Sequence, residues 1–422
     1  MTRARPGQHV VVLGAGMVGI ACALSLRQRG LEVTVLDPLG PGAATSHGNA
    51  GVLARSSLIP FNHPGLWAQL PSLLRGKNPG FRYHLPWMLG QWRWGLSFLG
   101  HARASAFHET TTALDPLIRH SAGLHRRWMT DAGIAHRRRD DGWLFLYRSE
   151  AAFAGGALGR ETLARFGVAT RALEARELHD LEPHLKPLFP RALWVQDASS
   201  VDSPGDVVRG YAGRLRTLGG GVQTDEATAL RRSSSGWTVH TRRGSALEAA
   251  HVVVALGPWS RDFLREQFGL RLPMGFERGQ HRHFRPAEGT ALNRPVYDTA
   301  GGYVLAPMAQ GLRLTTGVEL NAQHAQPHKA QLEAAERSAR EAIPLGERTT
   351  DPDWLGSRPT LPDCRPMIGE CPGHDALWLA LGHQHIGFST GPGTGDLLAQ
   401  LMLGEPPAID PHPFRPQRFL RA

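Results

Sequence analysis

The chain alternates between unbroken apolar runs and amphipathic stretches punctuated by glycine. At its start His9-Val10-Val11-Val12-Leu13 is nearly continuous in apolar character, the pattern of a strand buried on both faces. Gly14-Ala15-Gly16-Met17-Val18-Gly19 follows, then an apolar-rich segment over 20–26 that reads as a helix and stops at Gly30. Leu31-Glu32-Val33-Thr34-Val35-Leu36-Asp37 reads as a second strand. Strand, glycine turn, helix and strand within about 30 residues is the unit that builds a parallel sheet.

Further along, the Trp- and Pro-rich stretch 58–100 predicts short helices, Trp143-Leu144-Phe145-Leu146-Tyr147 a strand, and the charged stretch 159–182 helical structure. Ser203-Pro204 opens a helix over 204–218, which Gly219-Gly220-Gly221 breaks. Residues 252–257 are another buried-strand run ending in glycine, and 276–320 is strand-rich. A helix is predicted over 327–343, and 377–403 repeats the strand–glycine loop–helix pattern, with its helix at 395–403. No internal repeat is visible.

Composition narrows the classes. The 422 residues are 41% hydrophobic and 20% charged, which reads as a soluble globular protein of two to three domains rather than a disordered or fibrous chain. No run of 18 apolar residues occurs, so no membrane span is predicted. The net charge of +10 rests on arginine, since lysine occurs only at Lys77, Lys186 and Lys329. The one dense basic run, His136-Arg137-Arg138-Arg139, is answered at once by Asp140-Asp141. Nucleic-acid binders concentrate charge on one face, so no nucleic-acid partner is expected. Cys22, Cys364 and Cys371 form no disulfide framework, which fits a reducing compartment. The first residues carry no secretory signature, so a cytoplasmic location is expected.

The glycine turn carries the strongest chemical signal. Gly14 permits the tight turn, Gly16 lets the backbone approach a pyrophosphate, and Gly19 lets helix and strand pack closely. The helix that follows offers free N–H groups and its positive end to phosphate. Asp37 ends the second strand, where a carboxylate can accept from a ribose hydroxyl. Together these predict dinucleotide binding.

Four further blocks give that reading a family. Thr45-Ser46-His47-Gly48-Asn49-Ala50-Gly51, Val254-Ala255-Leu256-Gly257-Pro258-Trp259-Ser260, Trp354-Leu355-Gly356-Ser357-Arg358-Pro359-Thr360-Leu361-Pro362-Asp363 and Gly382-His383-Gln384-His385-Ile386-Gly387-Phe388-Ser389-Thr390-Gly391-Pro392 occur in that order. In this series the chain resembles the D-amino-acid oxidase superfamily of FAD-dependent oxidoreductases, most closely its bacterial D-amino-acid dehydrogenase-like members. The resemblance covers nearly the whole chain. It implies an α/β (α+β) fold, with a Rossmann-like FAD-binding domain (1–100, 201–270 and 351–422) interleaved with a mixed-sheet substrate domain (101–200 and 271–350).

It also implies cofactor positions: Gly14, Gly16, Met17, Val18, Gly19, Asp37, Thr45, Ser46, Asn49, Ala50, Gly51, Val222, Ala255, Gly257, Trp259, Gly356, Gly382, Gly387, Phe388 and Ser389. The implied reaction is oxidation of an amino acid, a D-amino acid or a proline-type secondary amine, by hydride transfer to flavin N5. The imine formed would hydrolyse to the 2-oxo acid. Arg358 would hold the substrate carboxylate, a task suited to a planar guanidinium, and Tyr303 would join it. His385 and His47 are further candidate substrate contacts. Some relatives attach flavin through a cysteine just before the Pro-x-Asp stretch; here Cys364 follows Asp363, so non-covalent FAD is expected.

No lysine falls in a flavin motif, which leans towards a dehydrogenase passing electrons to a quinone or another carrier rather than to O2. The tryptophans of 58–100 admit two readings, helices covering the substrate domain or a peripheral contact with the inner face of a membrane, and the first is favoured. His281-x-His283 and His383-x-His385 have a spacing that puts two imidazoles on one strand face, yet no acidic or cysteine partner clusters with them, so no metal is expected. A flavin monooxygenase and a non-catalytic FAD-binding subunit of a heteromeric oxidase are the alternative readings.

Overall fold

A computed structural model describes residues 3–76, 78–349 and 353–420. The glycine fingerprint builds a six-stranded sheet in the order Gly221–Gln223, Glu32–Leu36, His9–Leu13, His251–Val254, Leu377–Leu381, Met367–Glu370. All neighbours are parallel except the last pair, which is antiparallel. Parity in the first strand shows why its run is continuously apolar. Val10 and Val12 face a core with the helices Met17–Gln28 and Gly387–Leu403, whereas Val11 and Leu13 face a second core under a three-stranded sheet containing Trp237 and Val239. A strand covered on both sides has no polar face to show.

The helix expected at 395–403 begins at Gly387, eight residues earlier. Its glycines recur every fourth residue, at 387, 391 and 395, a spacing that marks one helical face. A Cβ at Gly391 would press on the Met17 side chain, and one at Gly395 on the backbone of Ala21. Met17 and Ala21 are themselves four apart, so the two helices cross with almost no side-chain spacer. The 28-residue helix Ala104–Asp131 lies against the outer side of Gly387–Leu403, sharing its core through Leu117 and Ile118.

The second large unit is a mixed sheet of eleven strands. Its continuous path runs from Phe81–Tyr83 through Val318–Leu320, Gly275–Pro286, Gly311–Thr316, Tyr303–Met308, Val296–Asp298 and Trp143–Tyr147 to Arg191–Val195 and Thr170–Glu174. Leu345–Arg348 and Trp354–Thr360 also pair with the long strand Gly275–Pro286. The helix Lys329–Ala342 covers one face of this sheet and buries Leu305, Leu312 and Leu314 beneath it. The other face turns towards the glycine turn and the loop 44–52.

The sheets and the expected domain ranges part company in places. Phe81–Tyr83 and Trp354–Thr360 belong to the mixed sheet, although both fall in ranges assigned to the FAD domain, and the helix Ala104–Asp131, in the substrate range, packs on the nucleotide side. No helix among the described residues is long and apolar enough to cross a membrane.

Candidate active site

A cavity of about 1020 Å³ separates the two sheets. At one end lies the glycine turn. Gly14 sits at φ +104°, and a Cβ there would meet the carbonyl oxygen of Ala255 at 2.5 Å, while a Cβ at Gly19 would collide with the carbonyl of Gly14. The turn therefore tolerates no side chain at either position. Asp37 organises it: Oδ2 accepts from the Ala15 N–H at 2.8 Å, and Oδ1 accepts from the N–H groups of Leu39 and Gly40 at 2.8 and 2.9 Å. Ser46 Oγ accepts from the Met17 N–H at 2.9 Å, tying the loop to the helix start.

Two helix N-termini open into this one cavity. Met17–Gln28 and Gly387–Leu403 both lack a side-chain cap and an acidic residue in their first turn, and Met17, Val18, Gly387, Phe388 and Ser389 all line the space. Their positive ends are thus directed at the same ligand volume. A Cβ at Gly387 would come within 3.8 Å of the Val18 side chain, so the two helix starts meet at the cavity wall.

On the opposite wall, strand parity decides which side chains can reach a ligand. Glu277, Gly279, His281 and His283 alternate along the long strand, opposite Arg358, Gly356 and Trp354 on one side and Thr315 and Arg313 on the other. Arg358 lies over Gly279, where a Cβ would collide with its guanidinium. Its one hydrogen bond, to the Gly317 carbonyl, is long at 3.3 Å, so most of its five N–H donors are unspent. Burial lowers the Arg358 pKa, and Glu277 opposes that shift. His385 stands beside it, 4.7 Å from the Phe61 ring, with its pKa pushed down to about 3 by burial and by Arg358. The imidazole is therefore neutral at ordinary pH and too weakly basic to take a proton from an amine.

Buried polar atoms without partners gather here: Glu277 Oε2, Thr315 Oγ1, Thr360 Oγ1, Gln384 Oε1 and His385 Nδ1. Gln384 also holds a left-handed backbone, φ +49°, pinned by donation from its own N–H to the Pro359 carbonyl at 2.9 Å and from its side-chain amide to the Cys364 carbonyl. Strain and an unfilled acceptor in a cavity wall are marks of a ligand site. Nothing in the residue pattern singled out Gln384, since backbone strain leaves no trace in composition. Val304 and Thr315 carry no sequence signal either, Trp354 stands in a recognisable block without a role of its own, and the cavity continues to an aromatic wall of Trp143, Phe145, Tyr147 and Tyr297.

Of the anticipated positions, Gly14, Gly16, Met17, Val18, Asp37, Thr45, Ser46, Asn49, Ala50, Ala255, Gly257, Trp259, Gly356, Gly387, Phe388, Ser389, Arg358, Tyr303 and His385 border the cavity. Gly19, Gly51 and Gly382 act behind it; a Cβ would strike Val201 O at 2.4 Å from Gly51 and Leu361 at 2.6 Å from Gly382. Val222 pairs with Val35 in the parallel sheet and does not reach the space, which Glu226 and Ala227 line instead.

Two substrate expectations need correction. Tyr303 borders the cavity, but its ring lies in the core beneath the helix Lys329–Ala342, and its hydroxyl interacts with Asp298 and Arg148. It shares its face with Leu305, so the residue turned towards the cavity is Val304. His47 lies in a separate cavity of about 590 Å³ with His281 and His283, and the Trp354 indole, stacked on His281 at 4.8 Å, partitions the two spaces. A Cβ at Gly48 or Gly356 would overlap that indole, so both glycines seat the partition. The histidine group is unsuited to a cation, because Arg313 donates to His283 Nε2 at 3.0 Å and contributes its own positive charge. No metal-binding group of three occurs among the described residues.

The family model described as FAD dependent oxidoreductase matches residues 9–401. The chain belongs to that family. It is an FAD-dependent oxidoreductase with a mixed α/β fold. It is 30% identical over 427 residues to D-amino-acid oxidase from Bradyrhizobium diazoefficiens, covering 98% of this chain and 99% of that protein. It is also 30% identical over 412 residues to D-amino acid dehydrogenase 2 of Pseudomonas aeruginosa, covering 96% and 97%. Among solved structures it resembles glycine oxidase from Geobacillus kaustophilus (TM-score 0.74, 21% identity, covering 98% and 99%) and L-proline dehydrogenase from P. horikoshii (TM-score 0.75, 19% identity, covering 99% and 100%).

The residues present fit FAD. The cradle at Gly14 and Gly16 and the first helix N-terminus suit its pyrophosphate, Asp37 Oδ2 retains a lone pair for the ribose, and the second helix N-terminus suits the pyrimidine end of the ring.

Proposed function

We propose that this enzyme oxidises the Cα–N bond of a carboxylate-bearing amine, a D-amino acid or a proline-type secondary amine, and that FAD is held non-covalently. The observation that carries the reading is Arg358, a cavity-facing guanidinium with one long hydrogen bond, flanked by unpartnered acceptors. The names of the curated relatives point the same way. Bound FAD supplies the two-electron acceptor for a hydride from Cα. Arg358 clamps the carboxylate, which fixes the Cα–H direction, and orientation of this kind accounts for much of an enzyme's rate. Gln384 Oε1 is free to accept from the amine N–H. Hydride loss from Cα needs the nitrogen lone pair, so the reacting amine is unprotonated, and His385 is too weakly basic to be the group that deprotonates it. Loss of hydride then leaves an iminium ion, which water converts to the 2-oxo acid and ammonia or a ring-opened amine.

Cys22, Cys364 and Cys371 are all buried and none lines the cavity, which supports a flavin free of a thioether link. Neither described lysine lines it, which favours a quinone or other carrier over O2 as acceptor.

The same reading includes contact with an anionic lipid surface. Between Asp37 and Glu109 the chain has no acidic residue and six basic ones, Arg55, Arg75, Lys77, Arg82, Arg93 and Arg103. The helices Leu85–Gly90 and Trp92–Gly100 are two-faced. Trp87, Trp94 and Phe98 cover the sheet end at Val318 and Leu320, whereas Leu85, Leu89, Trp92 and Leu96 are exposed.

The deciding experiment is anaerobic addition of D-, L- and N-alkyl amino acids to the purified yellow enzyme. Bleaching of the flavin by members of one class, with flavin released on acid precipitation, is expected. A flavin that no amino acid bleaches sinks the proposed reaction.

A further inference from the structure

Behind Arg358 lies an acid that the proposed chemistry does not use. Glu277 sits directly opposite Arg358 across the antiparallel pair of Gly275–Pro286 and Trp354–Thr360, so both side chains leave the same face. It is 2% exposed, it does not line the cavity, and its Oε2 has no partner. No direct ion pair joins it to Arg358, whose guanidinium is drawn over Gly279 and towards the Gly317 carbonyl. A buried carboxyl beside a buried guanidinium, yet not clasping it, leaves the cation free for another anion.

We infer that Glu277 is the counter-charge of the empty substrate site, and that it takes up one proton from solvent when a substrate carboxylate binds Arg358. The inference rests on the carboxylate reading of Arg358. With the site empty, an ionised Glu277 balances the arginine. An arriving carboxylate replaces that balance, and two anions around one buried cation are unfavourable in a low dielectric. The easiest relief is protonation of Glu277, whose carboxylate has the neutral Thr360 side chain rather than a second cation beside it. Glu277 can do this near neutral pH, because burial raises its pKa to about 7.

The surrounding groups do not share the titration. On the strand bearing Arg358 and the turn after it, Cys364 is held protonated by burial and by Glu277 itself, and Asp363 is clamped by Arg365 and Arg418. On the C-terminal loop, His383 and His385 are both pushed down to about 3 and stay neutral. Glu319, on the adjoining strand, lies opposite Arg278 and so leaves the other face. From the helix Trp92–Gly100 the approaching side chain is Trp94, an uncharged indole.

The sign follows from linkage. Below about pH 7 Glu277 is already protonated, so carboxylate binding carries no proton and is independent of pH. Above that value, binding must first protonate Glu277, and affinity falls by up to tenfold per pH unit.

The test uses the FAD-loaded enzyme and isobutyrate, a carboxylate of alanine's shape without a titrating amine. Binding is read from the flavin absorption change between pH 6 and 9, and proton uptake from an indicator dye in weak buffer. Wild type should show a flat Kd below about pH 7, a rise approaching tenfold per unit above it, and uptake of one proton per bound ligand at pH 8. Glu277→Gln should bind isobutyrate with no pH dependence and no proton uptake. If that variant does not retain FAD, Glu277→Asp should keep the slope with a shifted midpoint. A flat wild-type profile, a pH slope that survives in Glu277→Gln, or an unshifted midpoint in Glu277→Asp overturns the inference while leaving the carboxylate reading intact. Failure of isobutyrate to bind even at pH 6, together with a flavin that amino acids do not bleach, overturns the carboxylate reading itself.

Discussion

At the scale of single residues, the mixed sheet turns identity into function through parity. Arg358 was legible because its strand sits in a run of recognisable residues, Gly356 to Asp363. Tyr303 was equally legible as a strand tyrosine, but the face it occupies depends on which neighbour pairs with it, and that is a three-dimensional fact. Pairing with Thr316 and sharing a face with Leu305 puts its ring under the helix. Two substitutions therefore separate. Arg358→Lys keeps the charge and loses the fork that grips a carboxylate, and misplacement on the order of 1 Å can cost about 10²-fold in rate. Stopped-flow flavin reduction should show that loss, and reduction at the wild-type rate and half-saturation would move the carboxylate elsewhere. Tyr303→Phe should leave reduction unchanged and instead lower stability by about 0.5–1.5 kcal/mol, the net worth of one hydrogen bond, since Asp298 and Arg148 keep each other as partners. A raised half-saturation for substrate in Tyr303→Phe, with unaltered melting, would return the hydroxyl to the active site.

At the scale of elements, the opening strand, turn and helix were readable because each carries its own local signal. The C-terminal helix was read too short for the opposite reason. Glycine usually argues against helix, so the glycines at 387 and 391 read as loop and only 395 as the helix start. Their spacing of four is also the spacing of one helical face, and here the loss of helix propensity is offset by contact with the first helix along Met17 and Ala21. Both N-termini must point into one cavity, so their crossing also sets the cofactor site. Gly395→Ala would drive a methyl into the Ala21 backbone, which cannot move without shifting the glycine turn. Overpacking of this kind costs about 1–3 kcal/mol. Thermal unfolding with and without added FAD is the measurement. Melting should fall in both, and FAD should dissociate more readily on dilution. Unaltered melting would mean that the two helices can separate without disturbing the turn.

At the scale of the whole molecule, the same stretch of chain serves two sides. The tryptophans of 58–100 posed a choice between covering the sheet and meeting a surface, and amphipathic pattern alone could not decide it, because both uses need apolar side chains. The fold divides them: Trp87 and Trp94 go inward, while Leu85, Leu89, Trp92 and Leu96 stay out. Phe61 and Trp67 are exposed nearby in sequence, and Trp67 is anchored by donation to the Ala102 carbonyl at 2.8 Å. Arg75, Arg93 and Arg103 are exposed in the same stretch of chain, and Arg93 rests over the Trp92 ring at 5.3 Å. Exposed apolar side chains interspersed along the chain with arginine, in a stretch without a carboxylate, suit the headgroup boundary of an anionic bilayer. Phe61 also lines the active cavity, so a surface-bound enzyme would hold its cavity close to the lipid. The FAD-loaded protein should therefore co-sediment with vesicles containing anionic lipid and less with neutral ones, and added salt should release part of it by screening the arginines. The double substitution Leu89→Asp with Trp92→Asp removes two insertable side chains, about 3 kcal/mol or more of apolar transfer, and should weaken co-sedimentation by over a hundredfold while amino-acid-driven bleaching of the soluble enzyme continues. Equal sedimentation with anionic and neutral vesicles, or binding that survives the double substitution, would show that these helices do no more than shield the sheet.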